Sequence, residues 1–122
     1  MNIEIPISVG ELVDKLTILE IKKEKIQDTN KLININNEYD ELTKLAIQLK
    51  NKNEEEYTKL FNELKTVNLK LWEIEDKIRI LESEKKFNEE FVELARSVYF
   101  TNDERFESKN KINKYFGSEF AE

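Results

Sequence analysis

Apolar residues recur along most of the chain at spacings of three and four, the period of one face of an α-helix. One stripe begins at Val9 and runs through Leu12, Leu16, Leu19, Ile26 and Ile33. A second runs through Ile18, Ile21, Leu32, Ile35, Tyr39, Leu42, Ala46 and Leu49. Each keeps a heptad frame across Lys22 to Asn30, and frames one residue apart lie about 100° apart around a helix. The apolar face therefore shifts sideways along what reads as one long bent helix over 8–50. Asp28, Thr29 and Asn30 are weak helix formers and leave open the alternative of two helices with a break, although no Gly or Pro enforces one. A third stripe, Tyr57, Leu60, Leu64, Val67, Leu71, Ile74, Ile78 and Leu81, alternates steps of three and four without interruption. It predicts a second long helix over 54–86 carrying a coiled-coil seam.

The breakers agree with this division, since the single Pro is Pro6 and the two glycines are Gly10 and Gly117. Ser8-Val9-Gly10-Glu11 reads as a capping box that opens the first helix. Asn53, followed by Glu54, Glu55 and Glu56, is an N-cap with acidic residues in the positive first turn. Ile3, Ile5 and Ile7 alternate with polar residues or Pro, the period of an extended segment, so 1–7 reads as a short arm lying on the core or pairing with a partner. Asn88 caps Glu89 and Glu90, with Phe87 and Val92 as a hydrophobic staple. Thr101-Asn102-Asp103-Glu104 reads as another capping box. Two short helices, 88–100 and 102–116, follow from these signals, the last closed by Gly117. The expected fold is all-α: a single helical domain over 1–122, built on a long antiparallel coiled-coil-like helical hairpin with the two short C-terminal helices packed on it.

Composition narrows the chemistry. The 122 residues fit one domain, and 39% apolar with 38% charged residues suits long amphipathic helices rather than disorder. A net charge of −6 works against phosphate-backbone binding, so neither nucleic acid nor an anionic membrane is expected as a partner. There is no Cys and no His, which excludes disulfides, thiolate nucleophiles, Ser-His-Asp triads and nearly all structural zinc sites. The N-terminus has no basic or continuous apolar leader region, and a cytoplasmic protein is expected.

Three strings are unusual enough to carry a resemblance: Ile5 to Glu20 (IPISVGELVDKLTILE), Leu71 to Arg79 (LWEIEDKIR), and Leu94 to Tyr99 (LARSVY) with Asn102-Asp103. They resemble an uncharacterised small helical family of bacteria and viruses, domain of unknown function 6165. The resemblance spans essentially the whole chain, implies no established activity, cofactor or ligand, and suggests a short charged, Tyr-containing tail beyond Glu122.

Two function classes follow. Arg96, Asn102, Arg105, Lys109 and Asn113 surround an expected helix start, where amides and the dipole attract anions, and so form a candidate site for a phosphate or carboxylate ligand. The competing reading has Arg96 and Arg105 simply paired with hairpin carboxylates. Glu38 with Glu41, and Glu73 with Asp76, are each three apart on long helices, a pattern in which facing carboxylates hold Mg²⁺. In so acidic a chain such pairs also arise by chance. Trp72 reads as a core residue rather than a stacking platform. Eight of the twelve aromatic residues lie from Phe87 onward, and that surface must be covered by the hairpin or by a second subunit. The leading expectation is a non-catalytic helical interaction or scaffold protein, a homodimer with a protein partner also allowed, and without a cofactor. The alternative is a Mg²⁺- and carboxylate-dependent enzyme or binder of a small phosphorylated ligand, such as a nucleotide or nucleotide sugar.

Overall fold

A computed structural model describes all 122 residues and shows an all-α protein, 81% helical and without strands. Its four helices are α1 (Val9–Lys25), α2 (Thr29–Lys52), α3 (Glu54–Ser83) and α4 (Glu89–Phe116). α1 is the hub. It packs against all three other helices, and Gly10, Leu12, Val13, Asp14, Leu16, Thr17, Leu19 and Ile21 are all buried. A helix apolar on nearly every side must be enclosed, and the two stripes on this segment together supply that pattern. The main core gathers Leu12, Val13 and Leu16 of α1, Ala46 and Leu49 of α2, Tyr57, Leu60 and Leu64 of α3, and Ile112 and Phe116 of α4. The most extensive contact runs between α3 and α4, whereas α2 meets α3 far less.

Four expectations are corrected. The long bent helix over 8–50 is two helices: Ile26 is extended (φ −87°, ψ 134°), and Asp28 caps α2 by accepting from the Lys31 amide at 3.1 Å. A side-chain cap replaces the missing Gly or Pro, and two separate rods let each stripe face the core without bending one helix. The short helices 88–100 and 102–116 are one, because Thr101 is 1% exposed in the interior of α4, where burial of its side chain outweighs its capping tendency. The N-terminal arm forms no strand, and Ile3 and Ile5 are 80% and 70% exposed rather than laid on the core. α3 also ends earlier than residue 86, at Ser83, where Lys85 takes a positive φ of 56°.

The other caps agree with the sequence. Asn53 and Asn88 accept from the amides of Glu56 and Phe91, and Gly117 closes α4 in the left-handed region at φ 67°. Gly10 matters for a different reason. A Cβ there would lie 2.5 Å from the carbonyl oxygen of Lys109, so only glycine lets the start of α1 approach α4 this closely.

Candidate functional site

That close approach brings α1, α3 and α4 together around a polar cluster. Asp14, 1% exposed, stands one turn beyond Gly10 and receives a bidentate pair of bonds from Arg105: Nε to Oδ1 at 2.9 Å and Nη2 to Oδ2 at 2.6 Å. The fork geometry of the guanidinium matches a carboxylate, which is how a buried charge is tolerated. These bonds, above all, raise the Arg105 pKa beyond its ordinary value. Asn68 of α3 donates through Nδ2 to Asp14 Oδ1 at 3.0 Å and to Thr17 Oγ1 at 2.8 Å, while the Thr17 hydroxyl donates to the Asp14 carbonyl at 2.7 Å.

The orientation of the Asn68 amide is therefore determined. Turning it over would set its oxygen against a carboxylate and against a hydroxyl whose proton is already committed. Its Oδ1 is left buried without a partner. Such an orphan acceptor costs about 1–3 kcal/mol.

A second group of bonds joins the start of α1 to the end of the chain. The Ser8 hydroxyl caps α1 by accepting from the Glu11 amide at 3.0 Å and donates to Glu122 Oε2 at 2.6 Å. Asn113 accepts from the Gly10 amide and donates to the same Glu122 oxygen, both at 2.6 Å. Lys109 pairs with Glu11 at 2.7 Å and Glu122 at 3.0 Å. Glu11 thus reaches across to α4, not back to the Ser8 amide. Burial alone would raise the Glu122 carboxyl, but the bonds from Ser8, Lys109 and Asn113 outweigh it and hold the pKa at about 2.

Of the five residues expected to bind an anion, Asn102, Arg105 and Lys109 line one open cleft with Phe106. Asn113 sits deeper, in the Glu122 network. Arg96 points elsewhere and pairs with Glu93 of its own helix at 3.5 Å, not with a carboxylate across the fold. Arg105 and Lys109 face Asp14, Glu11 and Glu122, so an incoming anion would have to displace a carboxylate already in place.

The Mg²⁺ arrangement does not form. Glu41 pairs with Lys44 and Asp76 with Arg79, and no group of three Asp or Glu side chains, with Glu38 and Glu73 included, is placed to hold a metal ion. The physical reason is the limited contact of α2 with α3, which leaves carboxylates on the two helices little shared face on which to converge.

Trp72, expected in the core, is half-buried and lines a cleft of about 200 Å³ with Ile18, Ile21, Asn68, Leu71, Glu75 and Arg105. Asn68 and Thr17 were not anticipated. The signal for Asn68 was present: it stands four residues after Leu64 and three before Leu71, a polar side chain set into the apolar face of α3.

A protein-family model described as a family of unknown function, DUF6165, matches residues 1–121. The chain belongs to that family. No curated protein and no solved structure matches it. In this chain Asp14 falls within the string that carries the resemblance on α1, and Arg105 lies beside those on α4. No helix of this member is long and apolar enough to cross a membrane.

Proposed function

We propose that this chain is a non-catalytic helical interaction protein whose working form is a homodimer assembled through α4. The observation that carries the reading is an unpaired seam. Val92, Ala95, Tyr99, Asn102 and Phe106 alternate steps of three and four along α4, and all five are exposed. Val92, Tyr99 and Phe106 are 50%, 64% and 50% accessible. A heptad seam is complementary to another helix, and an Asn within it favours one register.

A second copy of this chain is the occupant that fits. Laid antiparallel across a two-fold axis at Tyr99, the seam meets itself: Val92 against Phe106 of the second copy, and Arg96 beside Asp103 of the second copy. Such an isologous contact closes at two subunits. With α3 packed alongside α4 as an antiparallel hairpin, the pairing makes a four-helix arrangement. Area supports it as well. The chain exposes 8521 Å², whereas a compact monomer of 14.6 kDa exposes about 6,900 Å². The excess accommodates the roughly 800 Å² per partner of a standard interface. The non-catalytic part is supported by the pairing of Arg105 and Lys109 with carboxylates and by the dispersal of Glu38, Glu41, Glu73 and Asp76.

Light scattering at micromolar concentration is expected to give about twice the 14.6 kDa chain mass. Tyr99→Glu places two carboxylates on the axis and is expected to yield a helical monomer. Arg96→Asp is expected to weaken the dimer and the Arg96→Asp/Asp103→Arg double variant to restore it. A wild-type monomer at every dilution, or a Tyr99→Glu dimer, would overturn the proposal.

A further inference from the structure

We infer that Ser8, Lys109 and Asn113 form a preorganised pocket for the carboxylate of an acidic peptide segment, and that Glu122 is an occupant which such a segment displaces. None of the three belongs to the α4 seam, so the site stands or falls independently of the dimer. Asn113 is 5% exposed, and its Oδ1 accepts from the Gly10 amide at 2.6 Å, which aims its Nδ2 at the Glu122 carboxylate. Ser8 is 6% exposed. Its oxygen accepts from the Glu11 amide, and its hydroxyl proton is directed to the same carboxylate. Both orientations are set by the backbone of α1, whatever fills the pocket. Two buried donors and the Lys109 ammonium therefore converge on one point and require an acceptor there.

The present bonds specify the ligand. One carboxylate oxygen accepts from Ser8 and Asn113, both at 2.6 Å, and the other pairs with Lys109 at 3.0 Å, a division suited to a planar two-oxygen group. Glu11 also faces Lys109, at 2.7 Å, so the emptied pocket has no surplus positive charge and favours a monoanion over a phosphate dianion. Two further bonds read a peptide. Asn110 Oδ1 accepts from the Glu122 amide at 3.0 Å, and the Val9 amide donates to Ser118 Oγ at 3.1 Å. A free carboxylate makes only the first set of bonds, whereas a peptide makes both. Little else holds the present occupant: Gly117, Glu119 and Ala121 are exposed and Phe120 is 48% accessible. A segment held by polar bonds without apolar burial opens at lower free energy than a packed helix.

The chain's two glycines report the two halves of this exchange by ¹H–¹⁵N NMR: Gly10 is bonded to Asn113 in the pocket, and Gly117 begins the segment that must lift. Glu122→Ala lies outside the helices and leaves the core untouched. Titration of that variant with a capped peptide of residues 118–122 is expected to shift the Gly10 amide saturably. The wild type is expected to bind the same peptide about tenfold or more weakly, because a tethered occupant competes at an effective concentration on the order of millimolar. Its Gly117 amide is expected to move together with Gly10 as Glu122 leaves. The peptide carrying Glu122→Gln is expected to bind Glu122→Ala at least tenfold more weakly, as loss of a charged hydrogen bond does. Propionate, the carboxylate without the peptide, is expected to bind at least tenfold more weakly as well. Absence of a saturable Gly10 shift in Glu122→Ala, equal affinity for the Glu122→Gln peptide, equal affinity in the wild type, or a wild-type Gly117 that stays still would each overturn the inference. Propionate binding as tightly as the peptide would overturn the peptide assignment in favour of a small free carboxylate.

Discussion

Asp14 is the side chain on which the centre of the molecule turns. A carboxylate at 1% exposure is tolerable only while Arg105 and Asn68 meet it. Arg105→Met keeps most of the aliphatic packing and removes the charge, so it isolates the electrostatic contribution. It is expected to destabilise the protein by about 3–5 kcal/mol, because the uncompensated carboxylate stays behind. Adding Asp14→Asn is expected to recover part of that loss in a double-mutant cycle read by urea unfolding; a purely additive cycle would mean that the two residues act separately. Glu122 behaves differently, because its carboxyl is held at about 2, below its ordinary 4.5. A depressed carboxylate contributes stability that is complete above the ordinary pKa and fades as pH falls toward the folded value. The melting temperature of the wild type is therefore expected to exceed that of Glu122→Gln near pH 6 and to converge on it between pH 4.5 and 2. A constant gap would show that the carboxylate charge is not what ties the tail down. Little of this was legible in the sequence. Asp14 stands four residues before Ile18, in line with an apolar stripe, and could have been noticed as a charge on a core face. The Ser8–Glu122 bond spans 114 positions, and periodicity, being local, carries no trace of it.

Elements were more legible than the joints between them, because a helix is encoded in spacings of three and four while its end depends on where one polar side chain goes. Asn53, Asn88 and Gly117 sit outside the apolar stripes, so each had only its capping role to play, and each plays it. Thr101 had two options, to cap a new helix or to pack inside a continuing one, and the sequence alone weighed only the first. Its burial in α4 makes this testable. At a true N-cap, Thr101→Asp would be neutral or stabilising. In the continuous helix the new carboxylate is buried without a partner, and a loss of several kcal/mol in thermal unfolding is expected. The break at Asp28 stood only as the alternative reading, for the complementary reason. Its cap was visible, but a sideways shift of the apolar face is equally compatible with a bent rod, and only packing around α1 distinguishes the two.

At the scale of the whole molecule, the apolar inventory outruns what four helices can enclose. Buried residues number 23 of 122, while Ile80, Phe87, Val92, Tyr99, Phe100 and Phe106 remain half exposed or more. Patches of that kind on a chain of this size mark contact surfaces. If the α4 seam is closed by a second copy, association and folding are linked, and the midpoint of unfolding must depend on protein concentration. The size of the effect follows from mass action. Unfolding a dimer of two such chains carries an entropy near 0.5 kcal/mol/K at about 2.1 cal/mol/K per residue, so each tenfold increase in concentration is expected to raise Tm by about 3 °C. Tyr99→Glu, monomeric and still helical, is expected to show a Tm that does not move with concentration. Differential scanning calorimetry across two decades of concentration separates the cases. A flat wild-type Tm together with a monomer mass would mean that the exposed seam serves a different partner or none, whereas a slope that persists in Tyr99→Glu would place the interface elsewhere, on the exposed Ile33, Leu45 and Ile47 of α2.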